Sequence, residues 1–214
     1  MTMAMTLSHR QRASEDLPLE ARANVYDFLA TVLTSRATQG SVGAVRNMAQ
    51  LLSIPCPDAW PLDELGRDYG ALFVVPGPRY VAPYESVYRD AWQVRVPPDA
   101  HASASGAASK TVKGLLMGDS TLEVQRCYSE AGVLPEREIP DHVGNELRFM
   151  AYLSRRRSDA VEDDARLADL QAHFRDEHLL KWLDPLGDRI RESEHAGFYS
   201  LVVRIAEVVV QNDD

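Results

Sequence analysis

The feature that most constrains the fold is a helical spacing of apolar residues that recurs along the chain, each time bounded by proline, glycine or a capping residue. After Asp16 and Pro18, Val25, Phe28, Leu29, Val32 and Leu33 fall at i, i+3, i+4, i+7 and i+8, one face of a helix. Gly40 closes the next connection, and Ser41 is expected to cap a second helix carrying Val42, Val45, Met48, Ala49 and Leu52. Pro55, Pro57 and Pro61 precede a third, with Leu62, Leu65, Tyr69, Leu72 and Phe73 inward. Ser120-Thr121-Leu122-Glu123 reads as a capping box opening a helix that Gly132 stops. Another helix is expected over 163–183, with Leu167, Leu170, Phe174 and His178 on one face, and a short one from Pro185 with Leu186 and Ile190. The last buries Phe198, Leu201, Val202, Ile205, Val208 and Val209. No strand alternation or internal repeat is read beside this pattern. The expectation is an all-α fold: a flexible tail over 1–14, then a single multi-helix bundle over 15–214.

Two stretches stand apart. Between Val74 and Tyr88, Pro76, Pro78 and Pro83 forbid a regular helix at first and favour extended backbone. Tyr80, Tyr84 and Tyr88 there would either pin the loop to the core or line a binding surface. Residues 97–109, PPDAHASASGAAS, are small and polar, and a mobile loop or hinge is expected near 97–111. Lys110-Thr111 resembles the end of a phosphate-binding loop, but Ala104 and Ser109 occupy its glycine positions, so that reading fails.

The stretch with most chemical content is Pro140-Asp141-His142-Val143-Gly144-Asn145-Glu146. Asp141 is expected to be the N-cap of a helix whose two stripes are His142, Asn145, Glu146, Phe149, Leu153 and Val143, Leu147, Met150, Ser154. A helix apolar on two sides lies deep in a bundle, which leaves its polar first turn at the mouth of a crevice. The positive helix end favours a neutral His142, and ionised Asp141 and Glu146 would then suit a guanidinium better than a phosphate. A capping cluster complete in itself fits the same residues. Arg155-Arg156-Arg157 stands where cations offset a helix C-terminus.

Other chemistries find little support. His142 and Glu146 are one turn apart, as helix-borne metal ligands are, but no HExxH accompanies them. His173 and His178 are five apart and are expected to point in different directions, with no cysteine joining them. No metal site or cofactor is expected. Cys56 and Cys127 form no CxxC and no disulfide framework, which favours a reducing, cytoplasmic setting. The net charge of −9 disfavours nucleic acid and anionic membranes and favours a basic partner. No signal peptide, twin-arginine leader or membrane span is read, so no stable membrane association is expected.

Four stretches, in order, resemble the TorD/DmsD/NarJ-type chaperones dedicated to molybdoenzymes. They are Tyr69-Gly70-Ala71-Leu72-Phe73 with Pro76-Gly77-Pro78 and Pro83 through Tyr88; Met117-Gly118-Asp119-Ser120-Thr121 with Tyr128 and Gly132; Pro140-Asp141-His142-Val143 with Glu146-Leu147, Phe149-Met150 and Leu153; and Phe174, His178-Leu179 and Trp182 with Phe198-Tyr199. The resemblance implies a cytoplasmic, all-helical protein without enzymatic activity. It would bind the twin-arginine leader or the apo form of the catalytic subunit of a molybdenum-cofactor enzyme, assist cofactor insertion and control export. By the same resemblance Asp141 and His142 bind the leader, and the loop carrying Pro83, Tyr84, Glu85, Ser86 and Tyr88 lines the region. The arginines would meet Asp141, Glu146 or Glu85, and the apolar leader segment would lie on Tyr84, Tyr88, Phe149 and Trp182. The insert over 97–109 departs from the shorter family pattern. The rival expectations are a small helical metalloenzyme using His142 and Glu146, and a helical interaction module with another client.

Overall fold

In a computed structural model of the chain, residues 17–96, 108–133, 139–160 and 164–213 are described. The expected tail and most of the expected 97–111 loop lie outside them. The elements run α1 (Leu19–Thr34), α2 (Gln39–Leu51), α3 (Leu62–Tyr69), α4 (Glu85–Arg89), β1 (Ala91–Val96), β2 (Ala108–Lys113), α5 (Asp119–Glu130), α6 (Val143–Asp159), α7 (Asp164–Phe174), α8 (Leu180–Ser193) and α9 (Tyr199–Gln211). Wide π-type turns at Gly70–Val74 and Arg175–Leu179 extend α3 and join α7 to α8. The fold is all-α, with one small antiparallel hairpin added.

The helical spacing becomes the core. Leu29, Val32 and Leu33 of α1, Val42, Val45 and Ala49 of α2, and Val202, Ile205 and Ala206 of α9 are buried together. Helix α6 is buried on two sides: Val143, Leu147 and Met150 on one, Phe149 and Leu153 on the other. It packs along α1, whose approach is set by Gly144, since a Cβ there would stand 2.3 Å from Thr34 Cγ2. Asp213, just after α9, ties that segment to α1 and α7. Its carboxylate, almost fully buried, accepts from Arg22 Nη1 (2.8 Å), Tyr26 Oη (2.7 Å) and Gln171 Nε2 (2.8 Å).

Several local expectations are corrected. Residues 108–111 are not loop: Ala108–Lys113 pairs with Ala91–Val96 in register Ala91↔Lys113 to Val96↔Ala108. The signal was short: Trp92, Val94 and Val96 alternate with Ala91, Gln93 and Arg95, while the partner strand carries almost no apolar alternation. Thr38, not Ser41, caps α2, with Ser41 completing a capping box from the third helical position. Ser120 does not cap α5. Asp90 reaches across instead and accepts from Ser120 N (3.1 Å) and Ser120 Oγ (2.6 Å). Gly118 leaves room for that carboxylate, because a Cβ would fall 1.9 Å from Asp90 Oδ2. Pro185 does not begin a helix but sits inside α8. Arg156 and Arg157 do stand in the last turn of α6, as expected, and Arg155 and Arg157 also bridge to neighbouring segments, at Asp27 and Asp164 respectively.

Candidate functional site

The proline-aromatic loop and the start of α6 meet as a two-strand junction. Glu85 N donates to Asp141 O (2.9 Å) and Val143 N to Pro83 O (2.9 Å), making an isolated antiparallel bridge between Tyr84 and His142. Tyr84 and His142 add an edge-to-face contact with ring centroids 5.1 Å apart. Proline makes this geometry natural: Pro83 and Pro140 hold the preceding backbone extended, and each segment enters its helix directly afterwards. Tyr128 Oη donates to Pro140 O (3.0 Å) from α5 and fixes the approach from below.

Asp141 is not the cap of its own helix. His142 is: its Nδ1 accepts from Gly144 N (3.0 Å), so a ring proton resides on Nε2 in that arrangement. The Asp141 carboxylate turns the other way and its Oδ2 accepts from Ser86 N (2.8 Å), capping α4 from across the junction. Its Oδ1 is buried without a hydrogen-bond partner among the described residues, as are Ser86 Oγ and Glu146 Oε1.

The expected open acidic mouth is corrected in one respect: its carboxylates are interior. Asp141, Glu146 and Glu85 are all 0 % exposed. Glu146 Oε2 accepts from Trp182 Nε1 (2.9 Å). Burial first, then the charge of Glu85, push the Glu146 carboxyl well above the usual carboxylate range against that hydrogen bond; Asp141 and a hydrogen bond shared with Glu85 add to the rise. Glu85 is held by Arg89 and by His178, whose Nδ1 lies 2.9 Å from its Oε2. Trp182 floors no groove, and Phe149 reaches only a small cleft of about 170 Å³ that it lines with Tyr128, Asn145, Arg148 and Tyr152. Trp182 is enclosed against Tyr88, centroids 5.6 Å apart, and Phe149 packs on Tyr128 and Phe174. Packing explains both departures, because α6 is too deep for its first polar turn to reach water fully.

What remains at the surface is the rim: His142, Tyr84 and Tyr88 are half-buried, while Pro83 and Ser86 are covered. A cleft of about 500 Å³ opens on the outer side of the same loop, lined by Tyr80, Ala82, Val87, Tyr88, Pro185 and Asp188 among others. A larger cleft, about 950 Å³, is lined by Arg36, Arg67, Arg79 and the Pro76–Pro78 turn, and none of its lining residues belongs to the junction. In the rival metalloenzyme reading His142 and Glu146 would share a metal, but here His142 Nδ1 accepts from Gly144 N and Glu146 Oε2 from Trp182 Nε1.

One grouping escaped sequence reading. Cys127, His173 and His178 lie together, with ligand atoms all within 4.8 Å of one another. The expectation that the two histidines diverge assumed an α-helix. The π turn at Arg175–Leu179 widens the spiral, so residues five apart share a face, with ring centroids 6.3 Å apart. Burial, then the charges of Glu130, Glu123 and Glu85, push the Cys127 thiol up to about 11.

A family model described as nitrate reductase delta subunit matches residues 35–187. A protein named "Chaperone protein TorD" from Vibrio cholerae is 28% identical over 156 residues, which cover 70% of this chain and 60% of that protein. Another of the same name from Colwellia psychrerythraea is 25% identical over 211 residues, 86% of each. The chain thus spans about 60% of the length of the Vibrio relatives and most of the Colwellia one.

Proposed function

The chain belongs to the nitrate reductase delta subunit family, of TorD/NarJ type, and from that premise we propose that it is a dedicated cytoplasmic chaperone, without catalytic activity of its own, for a molybdenum-cofactor enzyme. Its client is the catalytic subunit of that enzyme, recognised by its twin-arginine leader or in its apo form, held until cofactor is inserted and kept from premature export. The observation that carries the reading is the junction. The two segments that carry most of the chemistry, Pro83–Tyr88 and Asp141–Glu146, come from distant parts of the chain and are stitched together by reciprocal backbone hydrogen bonds.

The chemistry of the junction suits a leader. Asp141, Glu85 and Glu146 lie beneath a rim of Tyr84, Tyr88 and His142, and Asp141 Oδ1 and Ser86 Oγ are unused acceptors there. A guanidinium that displaced the rim would complete those acceptors with charge-assisted bonds. The apolar part of the leader fits the adjacent cleft along Val87, Tyr88 and Pro185. A chain of net charge −9 attracts such a basic segment from a distance. A chaperone must release its client, so moderate affinity follows. No described helix is long and apolar enough to cross a membrane, which agrees with a role beside, not in, the bilayer.

The test is calorimetric titration of the chain with a peptide bearing the twin-arginine leader. Tyr84→Ala and His142→Ala should each weaken binding by roughly 1–3 kcal/mol, the scale of a lost aromatic or charge-assisted contact, and a leader with both arginines changed to glutamine should bind more weakly still. Affinity unchanged in both variants, with the helical signal intact, refutes the assignment of this junction.

A further inference from the structure

A second site lies behind the junction. We propose that Cys127 Sγ, His178 Nε2 and a ring nitrogen of His173 bind one Zn²⁺ ion, with the fourth position open to water on the side where His173 is exposed. The three donors come from three elements, Cys127 from α5, His173 from the last turn of α7 and His178 from the π turn that follows, and their ligand atoms already lie within 4.8 Å of one another. Donors on a tetrahedral zinc ion, at about 2.0–2.3 Å from the metal, stand roughly 3.3–3.8 Å apart. Cys127 Sγ and His178 Nε2 are 3.9 Å apart, so the two buried donors need hardly move. His173 is exposed and closes the remaining gap by rotating its side chain.

The orientation of His178 is that of a metal ligand. Its Nδ1 faces the Glu85 carboxylate at 2.9 and 3.1 Å, which places the hydrogen on Nδ1 and leaves the Nε2 lone pair aimed at Cys127. A carboxylate behind a histidine in this way fixes the tautomer and raises the basicity of the coordinating nitrogen, the usual outer arrangement at zinc. Phe174 stacks on the same ring, centroids 4.8 Å apart, and holds its plane. Glu123 and Glu130 lie four residues before and three after Cys127, on its side of α5, so the local field favours a cation. One thiolate and two imidazoles select zinc over the hard ions calcium and magnesium. On binding, the Cys127 thiol gives its proton to solvent and the sulfur takes the metal; nothing is oxidised or reduced.

The π turn is the reason such a site exists. In a continuous α-helix His173 and His178 would lie on different faces; the wider turn aligns them. Zinc bound there would clamp α5 to the α7–α8 connection and so brace Glu85 from behind.

The experiment uses the full, untagged chain, with Co²⁺ as spectroscopic probe and Zn²⁺ as competitor. The expected result is one Co²⁺ per chain with tetrahedral d–d bands and a thiolate-to-cobalt charge-transfer band, displaced by Zn²⁺, and a higher Tm with zinc than with chelator. Cys127→Ser should abolish the charge-transfer band. His173→Ala, an exposed substitution that leaves the fold intact, should lower affinity at least about 100-fold; Glu85→Gln should lower it by roughly 10–100-fold while keeping the band, as outer partners do. Absence of the band in the unsubstituted chain overturns the proposal, and so does undiminished affinity in His173→Ala.

Discussion

Glu146→Gln should change how stability depends on pH, and the structure fixes the sign. Glu146 is enclosed, its carboxyl pushed well above its ordinary value of 4.5, chiefly by burial and by Glu85. A group whose folded pKa exceeds its unfolded one contributes its full stability below the unfolded pKa. It loses that contribution as pH rises toward the folded value, because the unfolded chain ionises freely and the folded one does not. One proton corresponds to a slope of at most about 1.4 kcal/mol per pH unit. Glutamine keeps an oxygen for Trp182 Nε1 and an N–H₂ to offer Glu85, but it has no proton to retain. The difference in stability between the two proteins should therefore be constant below about pH 4.5. From there the variant should gain on the unsubstituted chain by up to about 1.4 kcal/mol for each unit of pH, until the folded pKa is passed. Urea unfolding followed by circular dichroism at half-unit intervals from pH 5 to 8 measures this difference directly, and subtracting the two curves removes the contributions of other groups. Parallel curves would refute the reasoning, because they would mean that Glu146 ionises inside the fold as easily as outside it.

Two further perturbations test the packing around the junction. Gly144→Ala puts a methyl 2.3 Å from Thr34 Cγ2 and should cost about 1–3 kcal/mol; Thr34→Ser in the same chain removes the opposing methyl and should recover most of it, as a double-mutant cycle would show. Asp90→Ala removes the carboxylate that caps α5 and should lose roughly 0.5–2 kcal/mol in urea unfolding while leaving leader affinity unchanged.

The helices were legible because apolar spacing is a local property: most positions expected to face inward in α1, α2, α6 and α9 are buried, while Val25, Phe28, Met48, Leu52, Val208 and Val209 are half-buried. Caps were less so, since some cap donors and acceptors belong to different helices. Asp141 serves α4, Asp90 serves α5, and Asp68 accepts from His195 N and Ala196 N ahead of α9. No spacing within one segment encodes such an exchange. The hairpin was hidden because only β1 alternates. The His173–His178 convergence was hidden because a π turn is a departure from the period that sequence reading assumes.

At the candidate site, the meeting of Pro83–Tyr88 with Asp141–His142 follows the order of motifs, but the burial of the carboxylates does not. Polar residues in the first turn of a helix are ordinarily wet; here α4, α5 and α8 cover them, and Trp182 closes the space above Glu146. Depth in a bundle is a property of the whole fold, and Glu146 carries no local mark of it.

The central claim is that a leader docks at the loop–helix junction. Amide hydrogen exchange of the chain, with and without the twin-arginine leader peptide, tests it most directly. Added protection over 83–90 and 139–148 is the result the account predicts; protection confined to the cleft of Arg36, Arg67 and Arg79, with the junction unchanged, would contradict it.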